Sequence, residues 1–182
     1  ANELSAVKAF DFELKSKYEI VMEYLCRGAG FFPNREKEGI KFKSLMLDSI
    51  PEADVMGIWM LPFEEYYLNS YGNKQLKTTY LLDLEPWSSP EKPWSAALKG
   101  KKVLVIHPFK ETIERQYKRR EEIFPGTDIL PKFELITLKA VQTVAGEEDN
   151  RFSTWFDALE WMYQEAMKID FDVAIIGCGA YG

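Results

Sequence analysis

Soft metal ligands are scarce in this sequence. One histidine, His107, and two cysteines, Cys26 and Cys178, stand among 182 residues. That inventory excludes a four-ligand His/Cys zinc site supplied by this chain alone and suggests no disulfide framework; a carboxylate-bound ion stays open. Long apolar runs are missing too: none approaches the ~18 residues of a membrane span. The first residues, Ala1 to Lys8, lack the basic start and apolar centre of a secretory leader. The expectation is a cytoplasmic protein with no membrane span. Positive charge is in deficit, 23 Lys and Arg against 29 Asp and Glu, for a net charge of −6. Such a balance argues against nucleic acid as a partner, although a local basic patch can still hold phosphate.

What the chain does have is apolar and aromatic bulk. Hydrophobic residues make up 46 %, which excludes a disordered chain. The five Trp and nine Tyr suit a rich core or a surface that stacks a base or sugar, and core is the commoner use of large aromatics. Near-helical apolar spacing predicts a helix over residues 3–26, stopped by Arg27-Gly28-Ala29-Gly30. A second helix is expected over 36–49 with Ile40, Leu45 and Met46 inward, then a strand over Asp54–Met60, a helix over 63–71 and a strand over Thr78–Leu84. Pro86, Pro90 and Pro93 mark an irregular connection closed by a short helix at Trp94–Leu98. The boundary between a helix-rich N-terminal lobe, 1–94, and a second unit, 95–182, is placed there.

From Lys101 the pattern sharpens. KKVLVI at 101–106 is too short and too β-branched for a helix and predicts a buried strand. A helix over Lys110–Glu122, a strand over Phe133–Leu138, a helix over Ser153–Lys168 and a strand over Asp172–Ile176 follow. Thr154 and Asp157 have the spacing of a capping box, and Phe152, Phe156, Leu159, Tyr163 and Ala166 are expected on the inner face of that helix. Alternating strands and helices predict an α/β fold with a Rossmann-like parallel sheet.

Ligands of open parallel sheets bind beyond the carboxyl ends of the strands, which singles out three loops. In His107–Thr112, backbone N–H groups entering a helix attract phosphate, Lys110 adds charge and Thr112 a hydroxyl; helix capping and a solvated lysine account for the same residues. In 139–150, Gln142 and Thr143 suit a base or ribose, and the bland alternative is a surface connection with an acidic tip. In Gly177–Gly182 the glycines, Gly177 and Gly179 foremost, allow backbone to approach a ligand, and the run has Gly-x-Gly-x-x-Gly spacing. With no helix after it, the chain reads as a fragment of a larger domain.

The runs VLVIHPFKETI, LKAVQTVAGE, FSTWFDALEWM and DVAIIGCGAYG resemble a family encoded among bacterial surface-polysaccharide genes. That group is in turn similar to the GT-D fold glycosyltransferases, once classed as a domain of unknown function. The resemblance implies a glycosyltransferase that takes a nucleotide sugar and a glycan or glycoprotein acceptor, with manganese or magnesium as a candidate metal. The Asp-Gly-Glu motif of those enzymes falls on Ala1-Asn2-Glu3, so only Glu3 matches, as the implied base or metal partner. The implied nucleotide contacts are His107, Lys110, Thr112, Gln142, Thr143, Gly177 and Gly179. A non-catalytic nucleotide- or sugar-binding module and, on the glycine run alone, a Rossmann oxidoreductase are the competing expectations.

Overall fold

A computed structural model describes residues 17–61, 63–147 and 149–182. Glu3, and with it the implied catalytic position, lies outside the described residues. The elements in order are α1 over residues 17–29, α2 (Glu36–Ser49), β1 (Val55–Ile58), α3 (Glu64–Tyr71), β2 (Lys77–Tyr80), β3 (Lys102–His107), α4 (Lys110–Lys118), α5 (Arg120–Ile123), β4 (Glu134–Lys139), α6 (Trp155–Ala166) and β5 (Val173–Ile176). Short 3-10 turns join several of them. The chain is mixed α/β, with two small parallel sheets and flanking helices, an arrangement compatible with a Rossmann-like fold.

The larger sheet has the order β4-β3-β5 and is parallel throughout. Val103 pairs with both Leu135 and Val173, His107 with Lys139, and Ile106 with Ile176. β3 is central because both of its faces are apolar: Val103 and Leu104, adjacent and therefore on opposite faces, are each fully buried. On one face, Leu104 and Ile106 join Met22 of α1, Phe31, and Trp155, Ala158 and Met162 of α6 in a single core. On α4, Glu114 accepts a hydrogen bond from Thr137 of β4, and the Tyr117 hydroxyl accepts from the Phe133 N–H beside that strand. The smaller sheet pairs β1 with β2 in parallel across α3.

α6 starts as its sequence dictates. The Asp157 N–H donates to the Thr154 hydroxyl at 3.2 Å, and the Thr154 N–H donates to the Asp157 carboxylate at 2.9 Å, the reciprocal arrangement of a capping box. Its buried stripe is Trp155, Ala158, Met162 and Ala166, one position off the expected face. Ala166 is the one residue common to both; Phe152, Phe156 and Leu159 are half-buried at the edge of the core and Tyr163 is exposed.

Other expectations are corrected in the same way. In α2 the inward positions are Gly39 and Phe42, whereas Ile40, Leu45 and Met46 are exposed. The strand expected to reach Leu84 ends at Tyr80, because the Asp83 carboxylate accepts the Tyr80 N–H and turns the chain into a 3-10 helix, Leu81–Leu84. The single helix expected over 110–122 divides at Arg119, whose N–H donates to the Gln116 carbonyl at 2.9 Å. The N-terminal stretch holds α1, α2 and the β1–α3–β2 unit, and Met22, Phe31 and Phe42 from it pack with Leu104 and Trp155.

Candidate functional site at the carboxyl edge of the sheet

Because the three strands are parallel, the segments after β3, β4 and β5 emerge on one edge. The chain runs from β3 to β4 on one side and then crosses to β5 on the other. The order therefore reverses at β3, and the crevice outside β3 and β5 is the switch point at which open α/β sheets receive ligands.

His107 and Gly177 meet there. A β-carbon on Gly177 would lie 3.1 Å from His107 Cδ2 and 3.7 Å from Nε2, so the missing side chain leaves room for the imidazole. The Phe109 N–H donates to His107 Nδ1 at 3.0 Å, which puts the proton of the neutral ring on Nε2, and the ring packs 5.3 Å from that of Phe109. Lys110 opens α4 half-buried, with its Nζ 3.9 Å from Glu114. Thr112 is exposed, and its hydroxyl accepts from the Arg115 guanidinium at 3.2 Å. The N–H of its own residue, first of all, holds the Glu111 carboxyl below its ordinary range, and Lys139 at 3.5 Å and Lys110 add to the effect. The Glu111 carboxylate thus sits at this helix start with its own N–H and two lysines, while the Phe109, Thr112 and Ile113 N–H groups are taken by His107 and by the Phe109 carbonyl.

After β4 the chain separates two cavities. Gln142 is exposed, has no hydrogen-bond partner among the described residues, and lines a cavity of about 270 Å³ with Pro108, Lys139, Arg151 and Trp161. Thr143, next in sequence, lines a different cavity and is 4 % exposed. Its hydroxyl donates to the Gly30 carbonyl at 2.6 Å and lies 3.4 Å from the Tyr181 hydroxyl. Thr143 thus holds the loop to the end of α1, and its hydroxyl is spent on the fold.

The glycine segment after β5 is used in the same internal way. Gly179 has φ +66°, and a β-carbon on it would lie 2.7 Å from the Ala29 carbonyl oxygen. The close backbone approach that this glycine permits is to the chain itself. Burial pushes the Cys178 thiol up to about 11 and the Tyr181 hydroxyl up to about 12, so neither ionises near neutrality. Tyr181 stacks on Trp155, centroids 5.2 Å apart.

The sequence reading missed the pair that shapes the 149–152 segment. Arg151 forks onto Asp149, with Nε to Oδ1 at 2.9 Å and the terminal nitrogen to Oδ2 at 2.6 Å. The guanidinium lies 4.8 Å above the Trp161 ring and 4.9 Å above Phe152. The hydrogen bonds from Arg151 hold the Asp149 carboxyl below its ordinary range. The signal was an Asp and an Arg two residues apart beside an aromatic, inside a tip read as acidic. Among the described residues, no three His, Cys, Asp or Glu side chains gather to hold a metal ion.

No protein-family profile, no curated protein and no solved structure matches this chain.

Proposed function

We propose that the chain binds a nucleotide sugar at this edge and serves a glycosyl transfer to a glycan or glycoprotein acceptor. The observation that carries the reading is the strand order β4-β3-β5 with His107 and Gly177 in contact at the reversal. The diphosphate takes the start of α4, in the place that the Glu111 carboxylate now visits, with Lys110 and Lys139 as its counter-charges. His107 Nε2–H donates to a phosphate or ribose oxygen. Gln142, with its amide free in the cavity beside Pro108, contacts the base or ribose. Thr112, Thr143 and Gly179 hold the shape of the edge. In a transfer reaction the negative charge grows on the departing diphosphate, where fixed N–H dipoles and lysines lower the barrier most effectively.

A thermal-shift and calorimetric panel tests this: UDP-, GDP- and CMP-sugars against NAD and NADP, with and without manganese. One sugar nucleotide is expected to bind, His107→Ala and Lys110→Ala to weaken it by about tenfold each, and Glu111→Gln to tighten it. Preferential binding of NAD or NADP, or binding indifferent to all three substitutions, overturns the reading.

A further inference from the structure

On the far side of the 142–153 segment lies a second cleft, of about 460 Å³, within the size range of small-molecule sites. Two sets of residues far apart in sequence wall it: the last turn of α1 with the chain after it, from Cys26 to Asn34, and Thr143, Gly146, Glu147 and Asp149 with Asn150, Phe152 and Ser153 before α6. Its accessible aromatic carbon is the half-buried rings of Phe32 and Phe152, while Phe31, 1 % exposed and packed on Phe42 and Trp155, belongs to the core. Around these rings stand the amides of Asn34 and Asn150 and the hydroxyl of Ser153. None of these three side chains has a hydrogen-bond partner among the described residues.

The charges at the rim are mostly spent. Arg27 is paired with Glu23 at 3.4 Å, and Asp149 with Arg151 at 2.6 Å. No lysine lines the cleft, and the one cation among its lining residues, Arg27, already has a carboxylate partner in Glu23. What remains is neutral donors and acceptors over aromatic faces, with the exposed carboxylate of Glu147 as a further acceptor. That lining matches a sugar: amides and hydroxyls exchange hydrogen bonds with ring hydroxyls, and aromatic carbon packs against the C–H face of the ring.

We infer that this cleft is a second binding site, for a neutral saccharide. Saccharide binding here stands apart from the nucleotide-sugar reading of the first site. Asp149 lines both cavities, so a stretch of chain stands between them, and a saccharide in the cleft is not placed for direct transfer from a donor at the first edge.

Saturation-transfer NMR and calorimetry with the methyl glycosides of galactose, glucose and N-acetylglucosamine test this on the whole chain. At least one glycoside is expected to bind and to receive saturation from the phenylalanine protons. Asn34→Ala and Asn150→Ala should each weaken it by about tenfold, with His107→Ala leaving its Kd unchanged and the unfolding midpoint showing that each variant is folded. Should Asn34→Ala fail to fold, Ser153→Ala on the opposite wall takes its place beside Asn150→Ala. Absence of binding by all three glycosides, or binding insensitive to the cleft substitutions, overturns the inference. The UDP-, GDP- and CMP-sugars titrated into the same samples keep the two claims apart. Glycoside binding without binding of any of these sugar nucleotides overturns the first site alone, and the reverse overturns the cleft alone.

Discussion

The chain builds the same local unit twice, and the two copies fare differently. β1–α3–β2 and β3–α4–β4 are both parallel strand–helix–strand units. In the second, a third strand and the covering helices α1 and α6 bury Val103, Leu104 and Ile106 of β3, giving a core that includes Trp155, Phe31 and Leu104 at 1 % exposure or less. In the first, no residue from Val55 to Tyr80 among those described is buried, and Trp59, Met60, Leu61 and Phe63 are each more than 60 % exposed. The turns after the first strands differ as well. After β1 the Glu64 carboxylate accepts the Trp59 and Leu61 N–H groups at 3.0–3.1 Å, which fills the anion position from within. After β3 the His107 imidazole accepts the Phe109 N–H, and Lys110 and Lys139 stand beside the start of α4. Parallel pairing alone does not stabilise a sheet; cover does. Of the two turns, the one after β3 is the one on which the nucleotide proposal rests.

Substitutions in the two units should separate them. Trp155→Ala should cost about 3–5 kcal/mol in denaturant unfolding and Phe156→Ala clearly less, since that ring is only half-buried, with Lys41 Nζ 3.9 Å from its centroid. Equal losses would mean that the core face of α6 is misplaced. Thr143→Val, which leaves the Gly30 carbonyl without its buried donor, should cost about 1–3 kcal/mol; an unchanged midpoint would free that hydroxyl for a ligand. The depressed Asp149 carboxyl stabilises the fold above its unfolded value of about 3.9, and that contribution goes as pH falls through its lower folded value. Asp149→Asn should therefore flatten the acid limb of a midpoint-against-pH curve, and a parallel limb would count against the Arg151 pair. At the other end of the scale, Trp59→Ser should move global stability by no more than about 0.5 kcal/mol. A loss of several kcal/mol on unfolding would show that the exposed unit is part of the main core.

The strands of the larger sheet were legible because VLVI and VAII are short, β-branched and apolar on both faces, and the capping box of α6 was legible from two residues at a fixed spacing. The buried stripe of α6 was not. WFDALEWMY has apolar residues at seven of nine positions, so two overlapping stripes fit a helical period and only tertiary packing chooses between them. In α2 the inward position is a glycine: a β-carbon on Gly39 would lie 2.3 Å from the Tyr18 hydroxyl and 2.6 Å from Met22 Sδ. Apolar periodicity cannot reveal a contact made by having no side chain. At the edge of the sheet, the sequence identified the loops but not what fills them. Chain segments 113 residues apart had to meet before Thr143 could be seen serving Gly30, and the Ala29 carbonyl before Gly179 could be seen serving the fold.

Gln142 and Thr143, neighbours in sequence, face two different cavities. The chain beside both is fastened at Thr143 to the Gly30 carbonyl at the end of α1 and at Asp149 to Arg151. Because Asp149 lines both cavities, a displacement on the Gln142 side should be felt in the Asn34–Asn150 cleft, and by reciprocity the reverse.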